Sequence, residues 1–161
     1  MDKKIIIGII ALVVIVCGAI AYFTIAGTQQ LEDAGLVKSE FVVNFYSDNS
    51  QVHSIESEIE SFKTNPYLKD DVNNDTVKWI EGFGNNEYVY INCIGNYNLI
   101  IKRSDYDTLK SQIDTSGLAD FDYYKAVIKA NVVETHSLGS GFKDIVYIQN
   151  IELINTTKES I

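Results

Sequence analysis

A long uncharged segment near the amino terminus is the feature that most constrains this chain. Residues 5–26 contain no charged side chain, and Lys3 and Lys4 stand directly before them. At ~1.5 Å rise per residue, a helix of this length extends about 33 Å, which is enough to cross a hydrocarbon core of roughly 30 Å. The sequence therefore predicts a transmembrane helix, with residues 1–27 forming a cytoplasmic stub and the anchor.

Charge placement predicts the orientation of this anchor. Lys3 and Lys4 precede the apolar segment, whereas the first charges after it are Glu32 and Asp33. Because positive charge is retained on the cytoplasmic side, we expect a cytoplasmic amino terminus and an extracytoplasmic remainder in a prokaryotic cell membrane. A cleaved signal peptide is the alternative, although the apolar region of such a peptide runs only about 7–15 residues.

The part of the chain beyond the anchor is acidic. Taking Asp2, Lys3 and Lys4 from the 22 acidic and 13 basic side chains of the whole sequence leaves 21 acidic and 11 basic side chains, a net charge of −10. Nucleic-acid binding depends on Lys and Arg side chains that neutralise phosphates. Nucleic acid is therefore not an expected partner.

The order of sequence patterns predicts a small mainly-β domain of the α+β class. Strand-like runs cover residues 40–46, 76–83, 87–94, 97–103, 123–135 and 142–154, and helical patterns begin at Ser54 and Ser104. We expect residues 28–39 to be a juxtamembrane connector and residues 40–155 to be a single domain. Residues 156–161 are expected to form a frayed tail.

The two helical patterns carry recognisable start signals. Ser54 is expected to cap the first helix, in which Ile55, Ile59 and Phe62 form one apolar stripe. Ser104 is expected to cap the second helix in a capping box. Both helices should bury one face against the strands.

From residue 76 onward the predicted order is β-β-β-α-β-β, preceded by a strand and a helix. The runs that support this order are Glu60–Asn65 at the end of the first helix, Val77–Phe83 in the first of the three strands, and residues 124–130 and 146–154 in the closing pair. Over residues 54–154 the chain resembles OB-fold domains of the tRNA-anti-like type. The resemblance implies a five-stranded, partly open Greek-key barrel. The alternative is a generic α+β antiparallel sheet with two helices on one face.

Alternating side chains in one strand suggest a binding surface. Tyr88 and Tyr90 alternate with apolar residues, so both are expected on one face of the strand, and Tyr97 could extend the row from the next strand. In OB-folds this region binds oligonucleotides and oligosaccharides, and tyrosines could stack on sugars without a positive field. Cross-strand tyrosines that only stabilise a half-exposed sheet are the alternative.

A polar loop contains the beginning of a calcium-binding pattern. Asp71, Asn73 and Asp75 have the alternate spacing of the first three ligands of a calcium loop. Position six would be Thr76 instead of Gly, and position twelve would be Gly82 instead of Glu. A solvated polar loop is the alternative to a metal site.

Two Asn-x-Thr acceptor sequences, at Asn74 and Asn155, are candidate N-glycosylation sites. Asp120 and Asp122 are interpreted as solvated turn residues, and Cys93 lies within an apolar strand pattern. The sequence contains no set of residues that indicates catalysis and no motif for a cofactor.

The sequence thus favours a membrane-anchored, non-catalytic extracytoplasmic interaction or accessory module, whose partner, a protein or an envelope glycan, it does not identify. A receptor for an envelope glycan or small ligand, using Tyr88, Tyr90 and Tyr97, is the alternative function.

Overall fold

The computed structural model describes residues 37–161. The elements are β1 (Ser39–Phe45), β2 (Val52–Ser54), α1 (Ile55–Thr64), α2 (Asn74–Glu81), β3 (Tyr88–Ile91), β4 (Tyr97–Lys102), α3 (Arg103–Ser111), β5 (Asp122–Ser137) and β6 (Asp144–Ser160). This confirms a small α+β domain. The predicted anchor and most of the predicted connector lie outside the described residues. Within residues 37–161, no helix has both the length and the apolar character needed to cross a bilayer.

The six strands form one open, mixed sheet in the order β1-β5-β6-β4-β3-β2. The β4–β6 pair is parallel, and the other four pairs are antiparallel. The sheet has β1 and β2 at its two edges, so it is neither the predicted OB-like barrel nor the fully antiparallel alternative.

Helix α2 is the element that breaks the predicted strand order. Residues 76–83 read as a strand because they are rich in β-branched and aromatic side chains. The buried residues of this segment are instead Thr76, Val77 and Ile80. Ile80 lies four residues after Thr76 and three after Val77, which is the spacing of one face of a helix. The Asn73 side-chain oxygen accepts hydrogen bonds from the backbone N–H groups of Asp75 and Thr76, which starts the helix.

The other two helices begin close to where the sequence predicts. Ser54 caps α1 as predicted, because its hydroxyl accepts a hydrogen bond from the Ser57 N–H at 3.1 Å. The predicted cap of α3 is wrong, since Lys102 occupies the N-cap position and makes no capping hydrogen bond with its side chain. The apolar stripe of α3 is nevertheless buried as expected, through Tyr106, Leu109 and Ile113.

Both faces of the sheet are covered. On one face α3 packs over Val89, Ile91 and other odd-numbered positions of β3 and β4. On the opposite face α1 and α2 pack over Tyr90 and Ile100. The predicted alternative had its two helices, α1 and α3, on a single face, whereas the structure places them on opposite faces and adds α2 beside α1.

Strands β5 and β6 form a long hairpin that bends the sheet. Strand β6 continues to Ser160, which pairs with Asp122, so the predicted frayed tail belongs to the sheet. Three register shifts interrupt the β5–β6 ladder, and such irregularities bend a strand and increase its twist. Edge strand β1 thereby approaches β4, although β5 and β6 separate the two in the sheet. The Val42 N–H donates to the Tyr97 hydroxyl at 2.7 Å.

Candidate functional site

Tyr90, the centre of the predicted tyrosine row, lies in the core. Its side chain is 1% exposed and packs edge-on against Phe62, with ring centroids 6.5 Å apart. Its hydroxyl accepts a hydrogen bond from the Asn98 side-chain amide at 3.0 Å. Burial raises the pKa of this hydroxyl. A ligand at the surface therefore has no access to Tyr90.

The structure does not bring the other two tyrosines onto one surface. Tyr88 is partly exposed on the face covered by α1 and α2, where it contacts Phe83 and Tyr147. Tyr97 packs on the opposite face, edge-on against Phe41 at 5.2 Å. Alternation correctly placed Tyr88 and Tyr90 on one face, but it did not indicate that helices would cover that face.

The candidate calcium residues lie around the start of α2. Asn73 is the N-cap, and its side-chain oxygen is already engaged by two backbone N–H groups. Asp75 lies in the first helical turn, where a carboxylate interacts favourably with the helix dipole. Asp71 lies in the preceding loop. Within the described chain, no three His, Cys, Asp or Glu side chains come together as metal ligands would.

The two candidate glycosylation residues are both exposed. Asn74 is the first residue of α2, and Asn155 lies on β6. The hydroxyl of Thr76, which completes the first acceptor sequence, is buried and donates to the Ser137 carbonyl at 2.5 Å. Glycosylation at either residue stays a prediction.

A cleft of about 560 Å³ opens where the bent sheet brings the end of β1 toward the residues that follow β3. Residues at the start of β5 form the remaining wall of the cleft. The lining residues are Tyr46, Ser47, Asp48, Ser50, Gln51, Asn92, Cys93, Ile94, Asp120, Phe121, Asp122 and Ile161. This volume falls within the range of about 300–1,000 Å³ that is typical of ligand pockets.

Exposed apolar side chains converge on this cleft. Ile94 is 69% exposed, Phe121 is 74% exposed and Ile161 is 84% exposed. Among the described residues only three other large apolar side chains are exposed, and they are Tyr67, Val133 and Ile154. Single exposed apolar residues are ordinary, whereas a group of them around a concavity marks a binding surface.

The backbone at Phe121 is held in an unfavourable conformation. Its φ is +75°, in the left-handed region that bulky residues rarely adopt. Two backbone hydrogen bonds hold the turn on either side: Asp122 N–H donates to the Ala119 carbonyl at 3.0 Å, and Ile161 N–H donates to the Phe121 carbonyl at 2.9 Å. The turn thus fixes the backbone while the ring projects into solvent.

The rim of the cleft is negatively charged. Asp48, Asp120 and Asp122 line it, and its lining contains no Lys, Arg or His. Hydrogen bonds from Ser50 lower the pKa of Asp48, and hydrogen bonds from Lys158 and Ser160 lower the pKa of Asp122. Both carboxylates therefore remain ionised at lower pH than an ordinary aspartate.

Cys93 is the one nucleophilic thiol of the described chain, and it lies at the floor of the cleft. Its side chain is buried, and burial raises its pKa to about 12. Because the thiolate is the reactive form, this cysteine is a poor nucleophile near neutral pH. The arrangement is therefore suited to binding through apolar contact and negative charge.

No match was found among protein-family models, curated proteins or solved structures.

Sequence reasoning missed the cleft and its apolar residues. The acidic pair Asp120 and Asp122 was interpreted as a solvated turn, and the Phe between them was not considered. An aromatic residue placed between two acidic residues just before a strand is a local signal that could have indicated an exposed ring. Ile94, next to the glycine of a tight turn, is a similar signal.

Proposed function

We propose that this chain is a membrane-anchored, non-catalytic accessory module that binds a protein partner through the cleft. The observation that carries the proposal is the convergence of Ile94, Phe121 and Ile161, all largely exposed, on one concave surface. Apolar surface in water is unfavourable by roughly 25 cal/mol per Å², and a partner that covers these side chains gains that free energy.

The backbone of Phe121 supports the same proposal. A bulky residue at positive φ is disfavoured by roughly 1–2 kcal/mol relative to an ordinary conformation. Little packing offsets this cost, because Phe121 is 74% exposed. Such unfavourable conformations cluster at functional sites, where a residue is retained for what it contacts.

The chemistry of the cleft favours binding over catalysis. Its lining provides three carboxylates and a buried thiol, and it provides no cationic side chain to stabilise developing negative charge. A hydrolase activity that disappears on changing one of the three aspartates would contradict the non-catalytic proposal.

The position of the cleft suits a partner outside the membrane. Strand β1 begins at Ser39, soon after the predicted anchor, and the cleft lies beyond its other end at Phe45. At ~3.3 Å per residue, this strand separates its two ends by about 20 Å. The acidic rim would also be repelled by anionic lipid headgroups.

The proposal is tested by purifying the full-length chain from its native membrane in mild detergent and identifying stoichiometric partners by mass spectrometry. We expect the wild-type chain to retain a partner protein and the Phe121→Asn variant to lose it. Asparagine tolerates positive φ, so this variant removes the ring without disturbing the turn.

Tyr67→Asn is the matched control. Tyr67 is 86% exposed and does not line the cleft, so its loss removes an equally accessible ring elsewhere. The proposal fails if the wild-type chain is isolated alone, or if both variants retain the partner equally.

A further inference from the structure

The charges around the cleft point to the chemistry of its partner. Three aspartates line the rim, and the cations beside it are already engaged: Lys158 contacts Asp122 at 3.1 Å, Lys125 contacts Glu159 at 3.7 Å, and the Lys143 ammonium donates to the Cys93 carbonyl. A group that enters the cleft therefore meets net negative charge. Complementary charge favours a cationic partner and disfavours an acidic one.

The apolar side chains of the cleft favour a partner group that combines apolar surface with positive charge. Ile94 and Phe121 present aliphatic and aromatic surface beside the carboxylates. A lysine or arginine side chain can lay its methylene stem along such surface while its charged end reaches a carboxylate. A guanidinium or ammonium group can also stack on the face of an aromatic ring.

The remaining lining residues suit an extended backbone. Ser47 and Ser50 are exposed neutral polar residues of the cleft and Asn92 is partly exposed, whereas Gln51 is buried and its side chain already bonds to the Tyr46 N–H and the Tyr106 hydroxyl. An extended peptide carries unpaired N–H and C=O groups, and the side chains of Ser47, Ser50 and Asn92 can act as hydrogen-bond donors and acceptors for them. A helix satisfies its own backbone groups and would not need such a lining.

We infer that the cleft binds an extended segment of the partner protein in which an apolar side chain is flanked by lysine or arginine. This inference rests on the proposed function and names the partner chemistry of the same site. The apolar side chain packs between Ile94 and Phe121, and the flanking cation lies against Asp120, the residue next to Phe121.

Site-specific photo-crosslinking in native membranes tests the inference with the full-length chain. Phe121→p-benzoylphenylalanine keeps an aromatic group at the exposed position, and Ile94→p-benzoylphenylalanine examines the opposite side of the cleft. Tyr67→p-benzoylphenylalanine is the control for non-specific capture. The crosslinked segment is then sequenced by mass spectrometry.

We expect positions 94 and 121 to capture the same segment, and position 67 not to capture it. That segment should contain an apolar residue within two positions of a lysine or arginine. Adding Asp120→Asn to the position-94 chain should lower the adduct by about two- to fivefold, the range expected for loss of one exposed charge pair. Asp70→Asn, in the loop between α1 and α2, should leave it unchanged.

The outcomes separate the inference from the proposed function. A captured protein segment that is acidic or uncharged, or an adduct that Asp120→Asn does not lower, overturns the inference and leaves the accessory role standing. Adducts to lipid or glycan at positions 94 and 121 overturn both. Both the inference and the proposed function are also overturned if the adduct yield at these positions is no greater than at position 67.

Discussion

The aromatic cluster beside α2 and the cleft at the end of β1 use similar side chains in opposite ways. The cluster consists of Trp79, Phe83, Tyr88, His136 and Tyr147, and every ring contacts another, with centroids 4.2–5.8 Å apart. At the cleft, Ile94 and Phe121 are both more than two-thirds exposed. The side chains of the first set pack against one another inside the fold, whereas those of the second are exposed to solvent.

Polar groups reinforce this contrast. In the cluster, Trp79 Nε1–H donates to Glu134 at 2.9 Å, and the same carboxylate contacts His136 at 2.7 Å. These bonds fix the indole in one orientation. At Phe121 the hydrogen bonds involve the backbone alone, so they fix the turn and leave the ring available. The difference shows that a rigid backbone can present an apolar side chain without burying it.

The largest expected effect is on stability, at the cluster. Tyr147 is 7% exposed and contacts both Phe83 and Tyr88. We expect Tyr147→Ala to lower the free energy of unfolding by about 3 kcal/mol, because it removes a buried ring and leaves a cavity. Urea unfolding of the full-length chain in detergent, followed through the fluorescence of its single tryptophan, measures this value.

Tyr67→Ala is the control for this prediction. Tyr67 is 86% exposed, so its replacement should change the free energy of unfolding by less than about 0.5 kcal/mol. Equal losses in the two variants would remove the contrast between packed and exposed rings.

The next effect is a loss of stability at alkaline pH. Burial raises the pKa of Cys93 from an ordinary value of about 9 to about 12, and burial also raises the pKa of Tyr90. A raised pKa gives stability that is fully present below the unfolded pKa and is lost as pH rises toward the folded value. Between about pH 9 and 12, ionisation of the Cys93 thiol in the unfolded chain should lower the free energy of unfolding by about 1.4 kcal/mol per pH unit.

Unfolding measured at pH 8, 9.5 and 10.5 tests this dependence. The Cys93→Ala variant should show a shallower decline than the wild-type chain above pH 9. A decline of identical slope in both chains would mean that the thiol is not the responsible group.

A smaller effect is expected from the carboxylate that joins the cluster. Glu134→Gln weakens its hydrogen bonds to His136 and Trp79, and we expect a loss of about 0.5–1 kcal/mol at pH 7. The hydrogen bond from His136 lowers the pKa of Glu134, so this contribution is fully present above the ordinary glutamate pKa and is lost as the pH falls through the lower folded value. Wild-type and variant chains should therefore differ in stability at pH 7 and approach each other as the solution becomes acidic.

The smallest effect on stability is expected at the cleft itself. Phe121→Asn removes an exposed ring and relieves a positive φ, so the free energy of unfolding should stay the same or rise by up to about 1 kcal/mol. Thermal unfolding of the full-length chain measures the change. A fall of more than 1 kcal/mol would show that the ring stabilises the fold.

Local patterns predicted much of the fold. The Ser54 cap and the stripe of Ile55, Ile59 and Phe62 predicted α1, and strand-like runs rich in β-branched and aromatic residues predicted β1, β3, β4 and the long hairpin. Helix α2 was missed because its β-branched and aromatic composition favours a strand, whereas the Asn73 cap and tertiary burial determine the helix. In this segment the residue composition favours a strand, whereas the spacing of the buried residues is that of a helix.

Local patterns indicate single exposed residues of the candidate site, such as Phe121, but they do not predict the cleft itself. The cleft joins residues 46–51, 92–94 and 120–122, which are distant in sequence and are brought together by strand pairing: the Asn92 N–H donates to the Gln51 carbonyl, and β1 pairs with β5. Alternation indicated that Tyr88 and Tyr90 share a face, but the helices that bury Tyr90 come from elsewhere in the chain. Exposure of Phe121 is likewise a tertiary property, since it depends on a turn held by β6.

The most direct test of the account measures stability and partner contact in the same chain. Ile94→p-benzoylphenylalanine reports contact at the cleft, and Phe121→Asn is added to it as the single further change. We predict that this change lowers the crosslinked partner adduct in native membranes at least fivefold, about 1 kcal/mol of lost contact. The melting temperature should stay unchanged or rise. An undiminished adduct, or a lower melting temperature, would contradict the claim that Phe121 is held exposed for a partner.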